Sequence, residues 1–227
     1  MGHYTYLLFD ADNTLFDFDR ANRNAFHQVC AACDLPESEE NYRLYERCNG
    51  ALWQAFDRGE CTKEFLVVER FRRFLAALGL ERDPEYCNEV HLSALGQSTL
   101  LLPYAEEVCR MLSRDHKLYL VTNAVASVQK SRLSRSPLAP YITAAFISEE
   151  AGASKPATEY FDYVFARIDG ITQENCLLIG DSLSSDILGA NNAGIPCCWY
   201  NPKELPRPDG LRIEYEIRDL RELYKIV

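Results

Sequence analysis

The feature that most constrains this chain is an apolar run that ends in acid. Tyr4-Thr5-Tyr6-Leu7-Leu8-Phe9 reads as a buried strand, and Asp10-Ala11-Asp12-Asn13-Thr14-Leu15 follows it at once. Carboxylates at the tip of such a strand are costly to bury unpaired, so Asp10 and Asp12 either hold a cation there or take part in chemistry. Asp and Asn also favour turns after strands, and this one segment leaves a plain turn open.

Three further segments have the same form. Lys117-Leu118-Tyr119-Leu120-Val121 runs into Thr122-Asn123, and Cys176-Leu177-Leu178-Ile179-Gly180 runs into Asp181-Ser182-Leu183-Ser184-Ser185-Asp186. Ser154-Lys155-Pro156 follows the short run Ala145-Phe146-Ile147-Ser148 and its loop. Parallel strands of a doubly wound sheet present their carboxyl ends on one edge, where ligands bind. Asp10, Asp12, Thr122, Lys155, Asp181 and Asp186 are therefore expected to converge. Singly, the later segments have ordinary readings: Thr122-Asn123 and Asp181 as helix N-caps, Lys155 as a solvated lysine, Asp186 as an acid favoured by a helix dipole.

Between the first and second apolar runs the character changes. Apolar residues recur at helical spacing at Phe26, Val29 and Cys30, at Tyr42, Tyr45 and Leu52-Trp53, and at Phe65, Val68 and Phe71. The pattern predicts about four helices, with Gly59-Glu60 as a turn and Pro84 opening the last over 84–95. From Leu101 strands and helices alternate. Helices are expected over 104–114, from Thr122-Asn123, from Pro156 and around Asp186, followed by a strand over 195–200, a proline-rich loop, a short strand near 215–217 and a last helix over 219–225. Repeated strand-helix units favour right-handed crossovers and a parallel sheet. The expected fold is α/β: a doubly wound, Rossmann-like core from residues 1–19 and 96–227, with an all-helical domain inserted at 20–95.

A net charge of -10 argues against a nucleic-acid polymer as partner, because that binding depends on clustered Lys and Arg. No apolar run is long enough to span a membrane and no leader is evident, so the chain reads as cytoplasmic, a monomer or homodimer, with its nine cysteines reduced. Cys30-Ala31-Ala32-Cys33 has the spacing of a zinc or redox pair, yet it lies inside a helical pattern with no second pair to complete a site. His3, His27, His91 and His116 fall outside every segment singled out above.

In order along the chain, Asp10-x-Asp12-x-Thr14, Thr122-Asn123, Lys155-Pro156 and Gly180-Asp181 with Asp186 resemble the four motifs of the haloacid dehalogenase-like hydrolase superfamily. The resemblance runs from residue 4 to about residue 200. Within that superfamily, the segments from Asp10 to Phe18 and from Gly180 to Ile187 are similar to the branch of pyrimidine nucleoside-monophosphate 5′-nucleotidases. This implies a Mg2+-dependent phosphatase for a small phosphorylated metabolite, and hard carboxylate oxygens without a suitably placed Cys or His suit Mg2+. Asp10 is then the nucleophile that becomes an aspartyl-phosphate, and Asp12 the general acid and base. Asp10, the backbone carbonyl of Asp12, and Asp181 would hold the metal, with Asp186 close by. Thr122 and the backbone amides of Ala11 to Asn13 and of Asn123 would bind the phosphoryl group, and Lys155 would neutralise charge. The helical insertion resembles the cap that many members carry over the active site.

Other readings share parts of this pattern. Haloacid dehalogenases match at Asp10 but keep no second acid two residues on, because expelling halide needs no proton; Asp12 therefore argues for phosphoryl chemistry. Sugar-phosphate phosphatases and phosphomutases keep both acids and stay open. A phospho-signalling receiver combines an acidic site, a Thr and a Lys, but its phosphorylated Asp follows a central strand with no helical insertion behind it. Candidates for substrate contact are Trp53, Phe56, Arg58, Phe16, Phe18 and Arg20, residue types used more often in packing or on surfaces.

Overall fold

The first apolar run forms β1 (Tyr6–Phe9) at the middle of a six-stranded sheet. The computed structural model describes residues 4–227. The remaining strands are β2 (Lys117–Thr122), β3 (Ile142–Ile147), β4 (Cys176–Gly180), β5 (Cys197–Tyr200) and β6 (Tyr215–Ile217), in the order β3-β2-β1-β4-β5-β6. Every pairing is parallel, with Leu7 beside Leu118 on one side and Leu177 on the other. Strand order reverses between β1 and β4, the place where open α/β sheets bind ligands.

The two faces of β1 feed two cores. Leu7 and Phe9 join Leu118, Leu120, Leu177 and Ile179, whereas Tyr6 and Leu8 join Tyr119, Val121, Cys176 and Leu178. Burial on both faces explains why these strands read as continuous apolar runs and not as alternation. Each fully buried Leu contributes about 1.5–3 kcal/mol. β3 lies at the sheet edge and starts at Ile142, before the Ala145–Ser148 run, because Thr143 and Ala144 are exposed and carry no apolar signal. The final helix is a 3-10 turn, Leu220–Lys225, opened by a capping box between Asp219 and Glu222.

The chain divides into two compact units, one holding the described residues up to Phe18 with Thr99–Val227, the other Asp19–Ser98. The second is built from four helices, α1 (Phe18–Ala32), α2 (Glu39–Asp57), α3 (Lys63–Leu78) and α4 (Pro84–Gln97). Their boundaries follow local chemistry. Ser38, Thr62 and Asp83 accept N-terminal amide bonds, Pro84 takes the first position of α4, and Gly79 ends α3 at φ 66. Phe26, Tyr45, Phe71 and Phe74 form the aromatic centre of this unit, with Tyr45 and Phe71 stacked at 5.3 Å.

Cys30, Cys33 and Cys87 pack into the same cluster, with the Cys33 and Cys87 sulfurs 3.3 Å apart. Burial first, and the neighbouring Cys33 second, pushes the Cys87 thiol up to about 12; burial also raises Cys30 to about 11. Protonated, buried thiols behave as small hydrophobes, and Cys33 meets Cys87 across the bundle.

A polar layer crosses the bundle as well. The buried Arg70 guanidinium donates to the Val67 carbonyl (3.0 Å), Asn49 Oδ1 (3.1 Å), Asn88 Oδ1 (3.1 Å) and His91 Nδ1 (3.1 Å). His91 Nε2 lies 2.9 Å from Asn22 Oδ1, so the network assigns the proton to Nε2. Burial, then the charge of Arg70, holds His91 well below its ordinary pKa, which leaves the ring neutral.

Candidate active site

Four loops at the carboxyl edge of the sheet meet around Lys155. Its side chain is 1% exposed, and Nζ bonds Asp10 Oδ1 at 2.7 Å, Asp186 Oδ1 at 2.6 Å and the Val121 carbonyl at 2.7 Å, which uses all three ammonium protons. Asn123 fixes the lysine backbone from behind: its Nδ2 donates to the Lys155 carbonyl at 2.8 Å and its Oδ1 accepts the Lys155 N–H at 3.0 Å. This clamp also explains a difference from expectation. The helix read as starting at Thr122-Asn123 begins at Ala126 (α5, Ala126–Arg135), because Asn123 is drawn to Lys155 and the buried Thr122 hydroxyl accepts from the Ala124 N–H at 3.1 Å.

Asp10 follows β1 and donates its N–H to the Ile179 carbonyl at 2.8 Å, which continues the β1–β4 ladder and places Asp10 beside Asp181 at the end of β4. Asp181 Oδ1 accepts from Thr14 Oγ1 at 3.3 Å, and its carbonyl accepts from the Trp199 indole at 2.9 Å. Beyond it Ser182 opens a π-helical turn, Leu183–Ile187, that turns Asp186 back onto the strand. The fit is close: a Cβ on Gly180 would lie 2.3 Å from Asp186 Oδ2, a distance real atoms do not adopt, so only glycine is accommodated there. Asp186 Oδ2 also accepts the Ser182 N–H at 3.0 Å.

Carboxylate oxygens of Asp10, Asp181 and Asp186 all lie within 4.8 Å of one another, and among the described residues no other set of His, Cys, Asp and Glu is grouped in this way. Burial, outweighing the attraction of Lys155, raises the Asp10 pKa well above the carboxylate range, with Asp186 and Asp181 adding to the rise. Asp181 is pushed up to about 7 by burial and then by the charge of Asp186. Burial alone would lower the Lys155 ammonium, but Asp10 and Asp186 outweigh it and the net direction is up. Three carboxylates against one ammonium leave an excess of negative charge on hard oxygen donors, which suits a small divalent cation such as Mg2+.

Asp12 is not part of that cluster. Its carboxylate accepts from Arg132 Nη1 at 2.5 Å, and its side chain is 25% exposed, against 1% for Arg132. Asn13, expected among the phosphate donors by its amide, instead gives that N–H to the Phe16 carbonyl at 2.8 Å, since its φ of 58 closes a tight turn. Phe16 is fully buried; Trp53 and Phe56 make an edge contact at 5.6 Å, and Arg58 pairs with Glu60 at 2.6 Å. Trp199 and Arg132 stand outside every motif of the sequence, whereas Thr14 and Gly180 belong to the first and the last.

A parallel sheet with an acid cluster and a buried lysine at its switch point is the arrangement expected of a haloacid dehalogenase-like hydrolase. The model of that family matches residues 4–194, and the chain belongs to it. Over its whole length the chain is 37% identical to HAD-hydrolase YfnB of Bacillus subtilis, covering 97% of that protein. A crystal structure of YfnB bound to magnesium has a TM-score of 0.94 and covers 99% of this chain and 98% of its own. Pyrimidine 5′-nucleotidase PynA of Streptococcus pneumoniae is 34% identical, with 97% of this chain and 93% of that protein covered. Pyrimidine 5′-nucleotidase YjjG of Escherichia coli is 30% identical, with 99% and 98% covered. The chain is thus an enzyme that falls among the phosphoric monoester hydrolases of its family. No helix among the described residues is long and apolar enough to cross a membrane.

Proposed function

We propose that this enzyme is a Mg2+-dependent 5′-nucleotidase, hydrolysing nucleoside 5′-monophosphates, pyrimidine ones foremost, through an aspartyl-phosphate on Asp10. The observation that carries the reading is the buried Lys155 ammonium shared between Asp10 and Asp186 beside the three-carboxylate cluster. Such a site has negative charge to hold a cation and a fixed positive charge to meet a phosphate. The nucleotidase names of two relatives aligned over nearly the whole chain support the substrate class.

Bound by Asp10, Asp181 and the Asp12 carbonyl, with Asp186 near, Mg2+ would supply the charge that lets a carboxylate approach a phosphate dianion. An Asp10 oxygen attacks phosphorus, the ester P–O bond breaks, and Asp12 protonates the departing alkoxide. Asp12 then takes a proton from water, whose oxygen attacks the same phosphorus and displaces the Asp10 carboxylate as inorganic phosphate leaves. Lys155 holds Asp10 in place and offsets charge on the phosphoryl oxygens, while Thr122 and the amides of Ala11 and Asp12 bond those oxygens.

The test is phosphate release from a panel of nucleoside 5′-monophosphates, sugar phosphates and other phosphorylated metabolites with and without Mg2+. Release from pyrimidine nucleotides at the highest kcat/KM, abolished by chelator and restored by Mg2+, is expected. Preference for a sugar phosphate would overturn the substrate, and full activity in excess chelator would overturn the metal.

A further inference from the structure

The buried Arg132 serves neither the acid cluster nor the lysine, and its placement calls for a reason. It lies on α5, three residues after Gln129, and is 1% exposed. Its Nη1 bonds Asp12 Oδ1 at 2.5 Å across 120 residues of sequence, and its guanidinium carbon sits 4.4 Å from the centre of the Phe16 ring. Asp12 and Phe16 belong to the same turn after β1, joined by a bridge between them. One guanidinium thus grips that turn twice, by charge on Asp12 and by its face on Phe16.

Stability alone is a poor account of this arrangement. Burying an arginine carries a desolvation penalty of several kcal/mol that one carboxylate offsets only with good geometry and full hydrogen bonding. Here the bonding is incomplete. Arg132 Nε, and both amide atoms of the fully buried Gln129 one turn earlier, have no partner among the described residues. The buried charge of Arg132 is thus met by one carboxylate only, that of Asp12. The pairing is also one-sided: Arg132 engages Oδ1 of Asp12, whose side chain is 25% exposed.

We propose that Arg132 is a positioning residue for Asp12, holding one carboxylate oxygen so that the other is aimed at the leaving group in the first step and at water in the second. The inference rests on the acid-base role of Asp12 given above. A carboxylate on a turn has two free torsions, and misplacement by about 1 Å can cost on the order of 100-fold in rate. The residue therefore acts through Asp12 and leaves Asp10, Lys155 and the metal cluster untouched.

The experiment compares the parent, Arg132→Met, Arg132→Lys, Asp12→Asn and Asp12→Asn/Arg132→Met, each with a nucleoside 5′-monophosphate and with an aryl phosphate whose phenolate leaves without a proton. Arg132→Met is expected to lower kcat on the nucleotide by roughly 10- to 100-fold with KM changed less than about threefold, and to leave single-turnover phosphorylation by the aryl phosphate within about threefold of the parent. In the Asp12→Asn background the same change is expected to cost less than about threefold, because the group it positions is gone. Arg132→Lys keeps the charge without the fork and should fall between; it decides the matter if Arg132→Met fails to fold. Equal loss for both leaving groups, or full loss in the Asp12→Asn background, overturns the proposal. If Asp12→Asn itself treats both leaving groups alike, the acid-base reading of Asp12 fails and takes this inference with it; if Asp12→Asn discriminates and neither Arg132 variant does, only this inference falls.

Discussion

Lys155 in the sheet unit and Arg70 in the helical unit are both buried cations, kept in opposite ways. Lys155 faces two carboxylates and a carbonyl, whereas Arg70 faces two amide oxygens, a carbonyl and a neutral imidazole, with no carboxylate in its bonding set. The pKa directions follow suit: Asp10 and Asp186 carry Lys155 up, while burial carries Arg70 down with only Tyr45 opposing. A cation among carboxylates sits in a field that a metal or a phosphate can enter and rebalance. One among neutral dipoles offers no such exchange. Asn22, Asn49, Arg70 and Asn88 with His91 come one helix at a time from α1, α2, α3 and α4, which makes the layer a register pin for the bundle.

The comparison breaks most visibly in activity. Asp10→Asn should reduce phosphate release by more than about 100-fold while the melting curve stays close to the parent's, because an amide has the shape of the carboxylate but cannot attack phosphorus. Arg70→Met, with no reacting group changed, should leave measurable turnover. A residual rate above a hundredth of the parent in Asp10→Asn would remove Asp10 from the nucleophile's role.

Stability separates the two cations next. Lys155→Met leaves three carboxylates crowded and unneutralised and should cost about 3–5 kcal/mol in chemical denaturation without Mg2+. Millimolar Mg2+ should recover part of that loss, because a ligand that binds only the folded state stabilises it by mass action. Arg70→Met leaves acceptors on Asn49 and Asn88 unpaired, at about 1–3 kcal/mol each, and Mg2+ should not change the difference from the parent. Equal Mg2+ responses in the two variants would show that the acid cluster is not where the ion binds.

The smallest effect concerns pH. His91 is neutral in the fold and its pKa is depressed there, whereas in the unfolded chain it titrates near 6.5. Above that value both states are neutral and nothing is lost. As pH falls below it the unfolded chain gains a proton that the fold refuses, and stability should drop by up to about 1.4 kcal/mol per pH unit from this group. Denaturation at pH 7.5 and 5.5 should show a shallower drop for His91→Gln than for the parent, and identical slopes would mean that the ring is protonated in the fold.

Charge placed directly behind an apolar run was legible in the sequence, because a strand tip leaves a side chain few places to go; Asp10 and Asp181 were visible for that reason, and Lys155, set back by a loop, by its place in the order of motifs. Their meeting point followed from the parallel order of strands. Arg132 and Arg70 left no such trace. A polar residue on a buried helix face has the same local pattern as a solvated one, and the partner of Arg132 lies 120 residues away. Helix starts failed similarly: Thr122-Asn123 has the composition of a cap, but a long-range clamp on Lys155 uses Asn123 first. The edge position of β3 hid its first residues, which are wet and so carry no periodic signal.

The central place of β1 has a consequence for biogenesis. Leu7 must wait for Leu118 before it has any neighbour and for Leu177 before it has both. At ribosomal speeds of about 5–20 residues per second, the second partner arrives on the order of ten seconds after the strand is made. The contiguous block Asp19–Ser98 can satisfy its own contacts in that interval, whereas Tyr6–Phe9 remains an unpaired apolar segment, the kind that associates with other chains. The strand that ends in Asp10 is thus the first made and the one that waits longest for its two neighbours, and the long reach of its contacts makes slow folding of the sheet the expected behaviour.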